Sequence, residues 1–155
     1  MRGRQVFMET LVAHGVDRIF GNPGTTESPL LDSLPDYPGI EYIVHLHEGV
    51  AVGAAMKGYV GVVEMAYADI SAVAFSSIVH SAAKLHYATN GQLSCPMLIR
   101  SPIGRWSRHG PMGTDLTLSW YCNVPDLALA MPATPHEAYW QTRAAFTRPV
   151  PTMIL

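Results

Sequence analysis

Residues 40–59 read IEYIVHLHEGVAVGAAMKGY and place one carboxylate, that of Glu48, between a strand-like run and a helix of small apolar residues. The run from Ile40 to His45 is apolar enough for a buried strand, and glycine, alanine and valine dominate the stretch after Glu48. Such surroundings strip water from a charged carboxylate, so Glu48 is a candidate to share or donate a proton near neutral pH. The alternative is a first-turn acid that only complements the helix dipole.

Helical and strand-like stretches alternate along the rest of the chain. Apolar residues between positions 6 and 12 recur at helical spacing, and Gly15 is suited to end that helix. Near the end of the chain, Thr134, Pro135 and Glu137 form the pattern of a capped helix start. The predicted strands cover 16–20, 40–45, 62–67, 96–100, 127–130 and the terminal 149–155, and further predicted helices cover 28–34, 69–88 and 134–146.

This alternation predicts the fold class. Strands that are almost entirely apolar and that alternate with helices indicate an α/β fold, a doubly wound and mostly parallel sheet with helices on both faces. Ligands of such sheets bind at the carboxyl ends of the strands, where GNPGTTESP (21–29) and HLHEG (45–49) are expected to lie side by side. GNPG has neither of the glycine spacings of phosphate-binding loops, so a plain strand-to-helix turn is the alternative for it.

Composition narrows the classes of function. With 155 residues, 48% hydrophobic and 14% charged, the chain fits one domain spanning 1–155. A net charge of -2 without a basic stripe disfavours nucleic acid, and no apolar run reaches the ~20 residues of a membrane helix. The seven histidines show no metal-binding spacing, and two unpatterned cysteines favour a reduced, cytoplasmic setting. We therefore expect a cytoplasmic domain that forms no metal site alone and associates with other subunits.

Several motifs in order carry a family resemblance. VDRIFGNPGTTESPLLDSL (16–34) followed by YIVHLHEGVAVGAAMKGY (42–59) resembles the pyrimidine-binding domain of thiamine-diphosphate enzymes, most closely the benzoylformate decarboxylase type. The stretches at 62–104 and 123–138 are similar to the beta subunit of the decarboxylating component of 2-oxo acid dehydrogenases. Together these stretches cover almost the whole chain. The resemblance implies the thiamine-diphosphate-binding fold and a 2-oxo acid substrate.

The resemblance also implies roles for individual residues. The glutamate that matches Glu48 hydrogen-bonds the pyrimidine ring of thiamine diphosphate and favours the tautomer that activates the cofactor. Gly49 and Tyr67 are the other candidate cofactor-binding residues. On the substrate side the candidates are Asn22, Gly24 and Thr25 of the GNPG loop, with the Thr25 hydroxyl matching a group that holds the substrate carboxylate.

The chain also departs from the family pattern. It contains no GDG followed by the asparagine that, in the family, holds Mg²⁺ and the diphosphate, so a partner domain or subunit is expected to supply them in a homo- or hetero-oligomer. The catalytic histidines of the two branches are absent: one region reads EMAYADISA, and Thr114 stands at the other position after His109. A non-catalytic subunit with an assembly role therefore stays open, as does, less favoured, a generic nucleotide or flavin binder.

Overall fold

The computed structural model describes residues 2–56, 61–104, 110–111 and 117–155. Within these ranges six strands form one sheet in the order β2-β1-β3-β4-β6-β5, and every neighbouring pair is parallel. The strands are β1 (Arg18–Gly21), β2 (Glu41–Val44), β3 (Gly61–Glu64), β4 (Met97–Arg100), β5 (Ala128–Ala130) and β6 (Thr152–Ile154). The parallel sheet confirms the fold class that the sequence predicts.

Helices connect the strands. They are α1 (Gly3–Ala13), α2 (Ser28–Leu31), α3 (Glu48–Ala55), α4 (Leu85–Ala88), α5 (Leu118–Tyr121) and α6 (Pro135–Ala145). Short 3₁₀ turns occupy Leu34–Asp36 and Ile70–Ala74, and a π-helical segment occupies Ser77–Ala83. None of the helices in the described ranges is long and apolar enough to cross a lipid bilayer.

The two faces of the sheet carry separate cores. Strand side chains alternate between the faces, so Val62 of β3 packs in the core under α1 and α6, whereas Val63 packs in the core under α3 and the 70–83 segment. Both side chains are fully buried. Helices therefore cover both faces, as the nearly continuous apolar strands predict.

The capped start of the last helix is confirmed. The Thr134 hydroxyl accepts a hydrogen bond from the Glu137 backbone N–H at 3.2 Å, and the Glu137 carboxylate accepts one from the Thr134 N–H at 3.3 Å. This reciprocal pair satisfies two N–H groups that have no partner within the helix. Local sequence is enough to determine this boundary.

Several element boundaries differ from the prediction, and β1 and β6 begin at Arg18 and Thr152 rather than at positions 16 and 149. The 69–88 stretch is not one regular helix but a 3₁₀ turn, a π-helical segment and the short helix α4. The second helix ends at Leu31 rather than at Leu34. β3 ends at Glu64 rather than at Tyr67. The segment that follows its neighbour β4 contains Pro102, which has no N–H to continue the hydrogen bonds between the two strands.

Candidate functional site

The carboxyl ends of β1, β2 and β3 bring three loops to one edge of the sheet. β1 lies between β2 and β3, so the GNPG loop that follows β1 is flanked by the loops that follow the other two strands. The His45 backbone N–H donates to the carbonyl of Gly21 at 2.8 Å, and the Thr26 hydroxyl donates to the carbonyl of Ala66. These bonds tie the GNPG loop to both neighbours, which is where parallel sheets bind ligands.

Glu48 is the first residue of α3 and is only 5% exposed. No described residue forms a hydrogen bond or an ion pair with its carboxylate. Since no described residue donates to it, the Glu48 carboxylate is free to accept a hydrogen bond from a ligand. Its place in the first turn of α3 also fits the dipole-complementing acid, so the ligand-binding role of Glu48 stays a prediction.

The start of α3 is tightly built. His47 caps the helix, and its Nδ1 accepts a hydrogen bond from the Gly49 N–H at 3.1 Å. A Cβ atom on Gly49 would stand 3.1 Å from both His47 Nδ1 and the Ser77 hydroxyl. A side chain at position 49 would therefore require the His47 ring and the Ser77 hydroxyl to move by a few tenths of an ångström.

The remaining small residues of α3 have two different roles. Ala51 and Val52 are fully buried against the sheet and the 70–83 segment, so α3 packs closely on both. Gly53 faces outward instead, with no heavy atom within 4 Å of its expected Cβ, so it makes no such approach within this chain. Val50 is 56% exposed on the same helix, and Leu46 before it is 96% exposed.

The other candidate residues surround the same edge. Asn22 is partly buried, Thr25 is exposed, and the Gly24 N–H donates to the Glu27 carboxylate at 2.9 Å. Tyr67 is partly buried just beyond β3. The edge thus brings the candidate substrate loop and the candidate cofactor residues into neighbouring loops, although no direct bond joins them to Glu48. His109 and Thr114 lie outside the described residues.

A buried polar cluster that the sequence reasoning missed lies beside this edge, on the α1 and α6 face. Glu64 is fully buried, and its Oε2 accepts a hydrogen bond from Arg100 Nη1 at 2.7 Å. The Tyr42 hydroxyl and one oxygen each of Glu27 and Glu64 are buried without partners. A Cβ on Gly21 would stand 2.2 Å from the Tyr42 hydroxyl, so only glycine fits beneath that ring.

Electrostatics couples the members of this cluster. Burial raises the pKa of Glu64 to about 7, with Arg100 opposing the rise and Glu27 adding to it. Burial also raises the pKa of Tyr42, and the charges of Glu64, Glu27 and Glu48 add to that rise. The signal that could have revealed the cluster is a carboxylate in the otherwise apolar strand VVEM (62–65), level with the arginine that ends PMLIR (96–100).

Comparison with known proteins identifies relatives of this chain. The model of the family described as thiamine pyrophosphate enzyme, N-terminal TPP binding domain, matches residues 1–107. The chain is 30% identical over 144 residues to the pyruvate dehydrogenase E1 component subunit beta of Rhizobium meliloti, and 33% identical over 131 residues to the 2-oxoisovalerate dehydrogenase subunit beta of Bacillus subtilis. These matches cover 93% and 84% of this chain but only 29% and 36% of the relatives, so the chain spans about a third of their length.

Solved structures share the fold. The thiamine diphosphate-dependent 4-hydroxybenzoylformate decarboxylase of Rhodococcus jostii RHA1 superposes with a TM-score of 0.77 at 18% identity, over 99% of this chain and 29% of that one. The benzoylformate decarboxylase of Polynucleobacter necessarius gives 0.74 at 16% identity, again over 99% of this chain and 29% of that one. With the family match over more than half of its length, the chain belongs to the N-terminal TPP binding domains of thiamine pyrophosphate enzymes.

Proposed function

We propose that this chain forms the pyrimidine side of a thiamine diphosphate site in a 2-oxo acid decarboxylase or dehydrogenase, and that Glu48 engages the cofactor ring. The observation that carries the proposal is a nearly buried carboxylate with no partner among the described residues, at the carboxyl edge of a parallel sheet. The chain belongs to a family of TPP-binding domains, which supports thiamine diphosphate as the ligand of this carboxylate.

The residues at the edge fit the heterocyclic half of the cofactor. A carboxylate pairs with a ring nitrogen that can carry a proton, and the apolar core beneath α3 keeps water from competing for that pair. When bound, thiamine diphosphate supplies a nucleophilic carbon and an electron sink for decarboxylation. Glu48 holds or shares a proton at its carboxylate, and Gly49 and Tyr67 border the same edge.

The diphosphate half is assigned to a partner. Because the sequence contains no GDG followed by the asparagine of the family pattern, Mg²⁺ and the diphosphate are proposed to be bound by a second domain or subunit. The relatives named as beta subunits support an assembly of this kind. The exposed apolar side chains of Leu46 and Val50, beside Glu48, offer a surface for that contact.

The substrate class follows from the relatives and from the loop after β1. Two of the relatives are named for pyruvate and 2-oxoisovalerate, which are both 2-oxo acids. Thr25 carries an exposed hydroxyl at the edge of the sheet, and we assign it to the substrate carboxylate together with Asn22 and the Gly24 backbone. Cytoplasmic localisation stays a prediction from the sequence.

Titration of thiamine diphosphate and Mg²⁺ tests the proposal, with calorimetry on the chain alone and together with a diphosphate-binding partner. We expect strong binding only with the partner, and a loss of about tenfold or more in Glu48→Gln, since hydrogen bonds to charged groups contribute roughly 1.5–3 kcal/mol. Activity of the assembly should fall by about 10²–10⁴.

Glu41→Gln is the matched control, because Glu41 is an exposed carboxylate on the strand that precedes Glu48. Its affinity for the cofactor should equal that of the unaltered chain. If Glu48→Gln binds as tightly as Glu41→Gln, the assignment of Glu48 is wrong.

A second candidate function is an assembly subunit that keeps the fold without driving chemistry. The replacement of the branch histidines, seen in EMAYADISA and at Thr114, favours it. This alternative predicts that the chain still binds its partner while the complex binds no cofactor and turns over no 2-oxo acid.

A further inference from the structure

A cleft of about 350 Å³ lies on the α1 and α6 face of the sheet, away from α3. Its walls come from α1, α2, α6 and the carboxyl ends of β4 and β6, and they are mostly apolar, with Phe7, Leu30 and Ile154 among them. No residue proposed above to hold cofactor or substrate contributes to these walls. The cleft is therefore separate from the Glu48 site.

Two arginines give the cleft its charge. Arg4 is partly buried in its wall, and no described residue forms a hydrogen bond or an ion pair with it. Arg100 also lines the cleft and bonds Glu64 through Nη1, with its guanidinium carbon 5.8 Å from the centre of the Phe7 ring. Because Glu64 is fully buried behind Arg100, it offsets part of that charge but leaves Arg4 uncompensated.

The size and lining define what would fit. At roughly 30 Å³ for each water in the liquid, the cleft has room for about a dozen waters, or for a ligand of similar heavy-atom count. Apolar walls with a few converging charged groups are typical of small-molecule pockets. Guanidinium groups bind carboxylates through paired N–H donors, and the Phe7 ring and Leu30 would contact an apolar body.

We propose that this cleft is a second binding site, which takes a small apolar monocarboxylate, such as an aromatic or branched-chain acid, with the carboxylate on Arg4 and Arg100. The site does not depend on thiamine diphosphate. Pro29 and Leu30 in its wall belong to α2, which starts directly after Glu27, so an occupant contacts the helix that follows the GNPG loop.

Phenylacetate is a suitable probe, titrated into the chain and followed by amide chemical shifts and calorimetry. We expect saturable binding with shifts centred on α1 and α6, at least about tenfold weaker in Arg4→Gln, because a charge-assisted bond is lost. Phenylacetamide has the shape of phenylacetate but not its charge, so it should bind the unaltered chain more weakly than phenylacetate does. Arg148→Gln is the matched control, an exposed arginine outside the cleft, and should bind as the unaltered chain does.

Two further variants keep the test decisive. Ala138→Phe fills the cleft from α6 without removing a charge, and should abolish binding. Glu48→Gln should leave phenylacetate binding unchanged even where it abolishes cofactor binding, which separates this site from the proposed function. The proposal is overturned if phenylacetate does not saturate, if Arg4→Gln or Ala138→Phe binds it as tightly as the unaltered chain, or if its binding is lost in Glu48→Gln.

Discussion

Glu48 and Glu64 are both nearly removed from water at the same edge of the sheet, yet their surroundings differ. Glu64 is paired with Arg100 at 2.7 Å and lies in the core face under α1 and α6. Glu48 opens the helix of the other face, and no described residue bonds its carboxylate. A buried carboxylate with an internal cation organises the fold, whereas one without a partner is left for a ligand.

The largest expected effect on stability comes from breaking the pair of Glu64 and Arg100. Arg100→Met should lower the free energy of unfolding at pH 7 by about 1.5–3 kcal/mol, because Glu64 loses its charged hydrogen-bond donor and has to take up a proton to stay buried. Urea denaturation measures this change. Arg148→Met, which alters an exposed arginine, should cost less than about 1 kcal/mol, and a similarly small loss for Arg100→Met would mean that the pair does not hold the fold together.

The next effect is the pH dependence that Glu64 introduces. Its pKa is about 7 in the folded chain against a usual value of 4.5, so the folded state binds the extra proton between these values. Its contribution to stability is therefore full below about pH 4.5 and is lost as the pH rises to about 7, by roughly 1.4 kcal/mol for each pH unit within that window.

Denaturation of the unaltered chain and of Glu64→Gln across pH 4 to 8 checks this slope. The difference in unfolding free energy between the two proteins should shift steadily in favour of the glutamine variant as the pH rises. A difference that stays constant over the range would show that Glu64 remains ionised in the folded state.

The smallest expected effect on stability is that of altering Glu48, the carboxylate without a partner among the described residues. Glu48→Gln should change the free energy of unfolding by less than about 1 kcal/mol, because the carboxylate makes no bond to the described residues. The same denaturation series measures it. A loss comparable to that of Arg100→Met would reveal a partner for Glu48 inside the chain, and the distinction between the two carboxylates would no longer hold.

Much of the fold could be predicted from local patterns. The alternation of apolar strands with helices predicts a doubly wound parallel sheet, and the capping box at Thr134 determines the start of α6, because both depend on neighbours within a few residues. Irregularity in 69–88 could not be predicted, since a bond such as that from Ser71 to the Tyr121 hydroxyl joins residues that are 50 positions apart.

The candidate site was predictable only in part. The position of Glu48 at the start of a helix after a strand is visible in the sequence, and so is the place of GNPG at the end of the preceding strand. The cluster of Glu27, Glu64 and Arg100 was not, because the apolar strand around Glu64 marks this carboxylate as unusual without showing which residues it meets. Only burial on one face of the sheet shows that they belong together.

By itself, the sequence determined which segments form strands and helices, and it placed a lone carboxylate at the opening of a helix of small residues. Tertiary structure alone decided that β6 inserts between β4 and β5, that Arg100 pairs with Glu64, and that Glu48 has no such neighbour among the residues that the structure describes. The physical reason is the separation along the sequence between the residues that interact. Local hydrogen bonds and periodicity are encoded within a few residues, whereas burial and charge pairing depend on distant strands meeting in the sheet.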